Sequence, residues 1–148
     1  MNIWRSNKKV KPMVTKTVTF ESLPKELDLL TKNLESSFDN AIKDYTVTLV
    51  SRMYDISPVD TGLYRSNHNV SLDKRSQNTY SITSKDTVVG DAASKVNEFN
   101  SLRNEFVYIQ NNLDYAEKLE NGGSNQAPAG IYGQAISGGK FNFKMKGG

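Results

Sequence analysis

From Lys25 to Ser57 the chain carries neither glycine nor proline, while Leu27, Leu30, Leu34, Phe38, Ile42, Tyr45, Leu49 and Met53 recur every three or four residues. That spacing puts all eight on one stripe of an α-helix. Ser22 and Pro24 supply a start signal, since proline is tolerated in the first turn, and Pro58 supplies the stop. The spacing predicts a helix of about 30 residues, roughly 45 Å long. An average globular helix is about a third of that. A chain of 148 residues must therefore be built around this rod, with the stripe against a sheet, another helix or a neighbouring subunit.

The remaining elements are shorter. Met13 to Phe20 is rich in valine and threonine, with Val14, Val18 and Phe20 on one face by period two, and reads as a strand. Lys16 interrupts that face, which suits an edge strand or an arm pairing with another subunit. After Pro58, Asp60 or Thr61 is positioned to cap a helical turn over Thr61 to Asn67. Asn69 to Asp73 and Thr79 to Thr83 read as the two strands of an antiparallel hairpin, and Glu105 to Gln110 as a further strand. Asp86 to Asn100 leaves open a strand end followed by a loop or a short helix. Leu113 to Asn121 reads as a short helix closed by Gly122 and Gly123, and Pro128 to Ile136 as another. Beyond Gly138 and Gly139, the alternation of Phe141, Phe143 and Met145 with polar residues is a strand pattern in need of a partner.

This order predicts an α+β fold. One long N-terminal helix packs on a small, mostly antiparallel sheet, with a short second helix and extended basic termini. The organisation expected is a basic arm over 1–12, one domain over 13–136 and a flexible basic tail over 137–148.

Charge is unevenly placed. Residues 1–20 hold five bases and no acid, and residues 121–148 hold three bases and no acid; the middle has 11 bases against 16 acids. The basic ends suit acidic neighbours in an assembly or non-specific contact with DNA. No RNA-binding strand motif, recognition helix or zinc knuckle accompanies them. With no cysteine and His68 as the single histidine, thiolate chemistry, cysteine-based metal sites and most zinc sites are excluded. No apolar run approaches the ~20 residues of a membrane span, and Met1 to Lys11 lacks the apolar centre of a signal peptide, so neither membrane insertion nor export is expected.

Three patterns touch on chemistry without carrying it. Asp60-Thr61-Gly62 matches the core of aspartic proteases, which pair two such carboxyls on one proton, but Leu63 and Tyr64 follow and no apolar strand leads in. Gly133 to Lys140 has the glycine gap of a phosphate-binding loop, but Gly139 stands where the lysine belongs. Asp114, Glu117 and Glu120 share a helix face and read as a solvated face rather than a metal site. His68 reads as a polar residue beginning a strand. No catalytic, cofactor-binding or metal-ligating residue is expected, and no enzymatic activity.

Ser57-Pro58-Val59-Asp60-Thr61-Gly62 with Arg65 and Ser66, and then Asp114-Tyr115-Ala116 with Glu120-Asn121-Gly122, together resemble the tail-completion proteins of tailed bacteriophages, also described as minor tail or head–tail joining proteins. With the preceding helix, the resemblance covers about two thirds of the chain. Tyr64 and Asn67 depart from it, standing where the family prefers leucine and serine. The resemblance implies a non-catalytic virion protein assembled in the bacterial host cytoplasm. It implies a homo-oligomeric ring, commonly a hexamer, in the phage neck between the head's portal or adaptor and the tail tube or terminator, with DNA passing through. It makes Pro58, Asp60, Thr61, Gly62, Arg65, Tyr115, Ala116, Glu120 and Gly122 fold and interface determinants. Val14, Val18, Phe20, Phe141, Phe143 and Met145 are the candidate inter-subunit strand residues. Two other readings stand beside it: a DNA-binding accessory protein using the basic ends, and, more weakly, an aspartic protease using Asp60.

Overall fold

The computed structural model describes Thr17 and residues 19–144. Its elements are α1 (Leu23–Ile56), a 3-10 turn (Arg65–Asn67), β1 (Asn69–Leu72), α2 (Lys85–Val96), β2 (Val107–Gln110), α3 (Ala116–Glu120) and α4 (Tyr132–Gly138). The fold is α+β, with a long helix against a small antiparallel sheet and several short helices.

The rod is α1, with 34 residues and a length of about 51 Å. Pro24 lies in its first turn with Glu26, whose negative charge suits that end of the helix dipole. Ser57 is extended because Pro58 disfavours the helical region for the residue before it. Only the C-terminal half of α1 is enclosed, and it serves two cores. On one flank Val50 and Tyr54 meet Val70, Val88, Ala92, Val96 and Phe99. On the other, Leu49 and Met53 meet Tyr64, Ala127, Ile131 and Ala135. Burying each of the large aliphatic side chains contributes about 1.5–3 kcal/mol.

The region 86–100, open on sequence grounds, is mostly helix. Ser84 accepts a hydrogen bond from Thr87 N–H and caps α2, whose Val88, Ala92 and Val96 recur every fourth residue on the buried face. Asp39 on α1 accepts from Ser101 N–H and anchors the chain leaving α2.

The predicted hairpin does not form. β1 pairs with β2, Asn69 opposite Gln110 and Leu72 opposite Val107. Residues 79–83 are not a strand, because side chains satisfy their backbone. Asn67 bonds both the N–H and the C=O of Tyr80, and Ser66 Oγ accepts from Thr83 N–H. The turn after β1 is set by Asp73, at φ 60°, whose carboxylate accepts from Glu105 N–H, Phe106 N–H and the Asn104 amide. Those bonds, led by the one from Asn104, hold its carboxyl below the usual range.

Other boundaries shift. The turn after Pro58 is helical only over Arg65–Asn67 and has no side-chain cap, so neither Asp60 nor Thr61 caps it. Thr61 Oγ1 accepts from Leu63 N–H instead, in a local turn. The last helix begins at Tyr132 rather than Pro128 and runs two residues past Ile136, into the expected tail. Thr19 and Phe20 form an irregular entry to α1 rather than a strand; Val14 and Val18 lie outside the described residues, as do the whole basic arm over 1–12 and Met145. Phe141 and Phe143 are not in a strand either. They lie along α1, Phe141 edge-on to Tyr45 at 5.4 Å and Phe143 against Phe38 at 6.4 Å.

Candidate functional site

The loop after α1 and the loop around α3 come from motifs more than 50 residues apart, yet they line one cleft of about 660 Å³. Pro58, Asp60, Thr61 and Gly62 form one wall, and Tyr115 and Leu119 face them. Gly62 takes φ +78°, which favours glycine, so the loop reverses before the 3-10 turn, where Gly62 O accepts from Ser66 N–H and Oγ. Val59 N–H donates to Gln126 Oε1 at 2.8 Å and ties the two sides together. The Tyr64 and Tyr115 rings lie 6.3 Å apart. Partial burial, and then the Asp60 charge, raise the Tyr115 phenol above its ordinary pKa.

The other motif residues support the walls. Arg65 points away from the cleft and stacks its guanidinium over Tyr54, 4.1 Å from the ring centre. Ala116 packs beside the second core. Glu120 reaches from the end of α3 to the start of α4, where its carboxylate accepts from Ile131 N–H and Tyr132 N–H at 2.8 Å and Gly133 N–H at 3.0 Å. Partial burial pushes its pKa up, but the three N–H donors together outweigh that and lower it. Gly122, at φ +85°, ends α3; a Cβ there would stand 2.7 Å from Pro128 O.

Behind the cleft lies a buried polar chain that sequence reasoning missed. His68 Nδ1 is 3.1 Å from Tyr132 Oη, and Nε2 is 2.7 Å from Ser57 Oγ. Ser57 Oγ in turn donates to Met53 O at the end of α1. Since the serine's one hydrogen goes to Met53, it presents only lone pairs to His68. Nε2 must then carry the ring proton, and Nδ1 accepts from the Tyr132 phenol. In that tautomer the imidazole donates to the serine and does not act as its base. Both Ser57 and His68 are 3% exposed, closed to a substrate. Burial pushes the His68 pKa down to about 4, against the opposing pull of the Met53 carbonyl and the Glu120 charge. Burial also raises the Tyr132 phenol, with Tyr64 and Glu120 adding to it. The chain is a brace joining α1, the start of β1 and α4. The one sequence signal for it is a lone histidine 11 residues after a helix-ending serine, which is too common to interpret.

Among the described residues no group of three or more acidic or histidine side chains is arranged to hold a metal. Of the carboxylates 114, 117 and 120, the last is engaged by α4. Asp60 sits exposed in a bend with no strand on either side. No described helix is long and apolar enough to cross a membrane. No protein-family profile, curated protein or solved structure matches the chain.

Proposed function

We propose that this chain is a structural subunit of a tailed-phage neck, one member of a ring that joins the portal or adaptor of the head to the tail and lets DNA pass. The observation that carries this reading is the N-terminal half of α1. Leu23, Leu27, Leu30, Leu34 and Phe38 form one stripe there, each 39–53% exposed. Leu29 and Phe20 add to the apolar surface. A soluble chain acting alone rarely leaves so continuous an apolar strip uncovered; such strips mark interaction surfaces. The cleft contributes in a second way. Its two motifs are occupied with turns, caps and loop ties, the work of a scaffold and not of a catalyst. In a closed ring each subunit offers two different faces to its neighbours, and an overhanging helix beside a compact body supplies two such faces.

The test is electron microscopy of lysates from a phage lacking this gene. Filled heads and separate tails that fail to join are expected. Intact, joined particles would remove the neck reading; a loss of DNA packaging with normal joining would favour the DNA-binding accessory role.

A further inference from the structure

Among the described residues the sheet has two strands, and one side of it is unpaired. Two strands of four residues are marginal by themselves; sheets usually need a third strand or more. Asp73 N–H bonds Phe106 O, which fixes the ladder: Asp73 with Phe106, Ser71 with Tyr108 and Asn69 with Gln110 face one another. Val107 and Ile109, between them, turn their N–H and C=O away from β1. No described group bonds these, so the outer edge of β2 is an open template for another strand. β1's other edge differs: it faces Tyr80–Thr83 and α2 across a separate cleft.

Beside the open β2 edge runs a groove of about 590 Å³, floored by Phe38, Ile42, Tyr45 and Leu49 of α1, on two of which the chain's own Phe143 and Phe141 also pack, and walled by Val107 and Ile109. Glu105 is the single charged residue in its lining. A strand added to β2 would direct every second side chain into this groove. It should therefore be apolar on one face, with a basic residue where it passes Glu105. Met13 to Val18 has that pattern by sequence: Val14, Lys16 and Val18 alternate with threonines.

The segment cannot serve its own chain. Phe38 lies 15 residues into α1 from Leu23, about 22 Å along the helix. The seven residues 13–19, fully extended, reach about 23 Å. Folded back along its own α1, the segment ends where the groove begins, and Lys16 falls well short of Glu105. We infer that the open edge of β2 and its groove receive the Met13–Val18 segment of a second copy of this chain, with Lys16 of one copy against Glu105 of the other. The inference rests on the reading of the chain as an assembly subunit and names one of its contacts.

The chain has no cysteine, so the test is clean. Lys16→Cys and Glu105→Cys are made on separate chains, mixed and mildly oxidised. The expected result is a covalent heterodimer, formed about tenfold faster than between Lys16→Cys and a control in the other cleft, Asn125→Cys, because docking raises the local thiol concentration. Charge reversal gives an independent reading: Lys16→Glu lowers association of the purified protein, and Glu105→Lys in the partner restores it. Equal cross-linking to the control site overturns the inference. So does capture of Glu105→Cys by Asn142→Cys in place of Lys16→Cys, which would give the edge to the C-terminal segment, or a disulfide confined to one chain when both cysteines are on it. Failed cross-linking together with failed head–tail joining in the gene deletion would leave the neck reading intact and remove only this contact.

Discussion

The buried chain through His68 makes stability depend on pH in a calculable way. Burial holds the imidazole neutral, with a folded pKa of about 4, against about 6.5 in the unfolded chain. As pH falls, the unfolded state takes up its proton first, so stability is full above about pH 6.5, declines through the interval and levels off below about 4. The whole difference corresponds to about 3 kcal/mol, and about half of it, roughly 1.5 kcal/mol, is lost between pH 6.5 and 5. In a chain of this size that lowers the melting temperature by about 3–6 °C. Asp73 and Glu120, whose folded pKa values are lowered, stabilise above the ordinary carboxylate range and lose that contribution only as pH falls further, so the interval above pH 5 reports on His68. The assay is urea unfolding followed by circular dichroism at pH 7, 6.5, 6, 5.5 and 5, for the native chain and for His68→Gln. The variant should be less stable at pH 7 by about 1–3 kcal/mol through its lost hydrogen bonds, and its profile should be nearly flat over the interval. An equal slope in both proteins, or a flat native profile, would refute the assignment of a buried neutral imidazole.

Glu120→Ala removes the acceptor for three N–H groups at the start of α4 and should cost about 1–2 kcal/mol by thermal melting, with Glu120→Gln recovering part of it. Gly122→Ala forces a side chain into a left-handed position and against the Pro128 carbonyl; a loss of at least about 1 kcal/mol is expected in the same assay. Leu27→Glu with Leu34→Glu, on the exposed stripe, should leave the melting temperature within a few degrees while abolishing higher-order association by analytical ultracentrifugation.

How much of this was legible in the sequence depended on the range of the interactions involved. α1 was plain because its stripe, its proline start and its proline stop are local signals that agree. The strand at Val107–Gln110 and the helix ended by Gly122 were legible for the same reason. The hairpin is not legible because Thr79–Thr83 has strand-like residues, and nothing nearby reveals that Asn67 and Ser66 occupy its backbone. The C-terminal alternation of Phe141 and Phe143 predicts a strand, yet those rings pack on Tyr45 and Phe38, about a hundred residues away. At the candidate site Pro58 and Gly122 end their helices as local signals predict, whereas two carboxylates act differently. Asp60 caps nothing and Glu120 caps a helix outside its own motif. The Ser57–His68–Tyr132 brace depends on three elements meeting in space.

The overhanging half of α1 also has mechanical consequences. Residues 23–36 project about 21 Å from the point where packing on the body begins, and no proline or glycine after Pro24 provides a joint along that length. The segment is a cantilever: its tip moves as a rigid extension of the clamped half. A tilt of about 5° at the root displaces the tip by about 2 Å, roughly one residue's rise along the helix. Small differences in how the two cores grip Leu49 to Tyr54 are therefore magnified at Leu23, and pressure on the tip is returned to the root as torque.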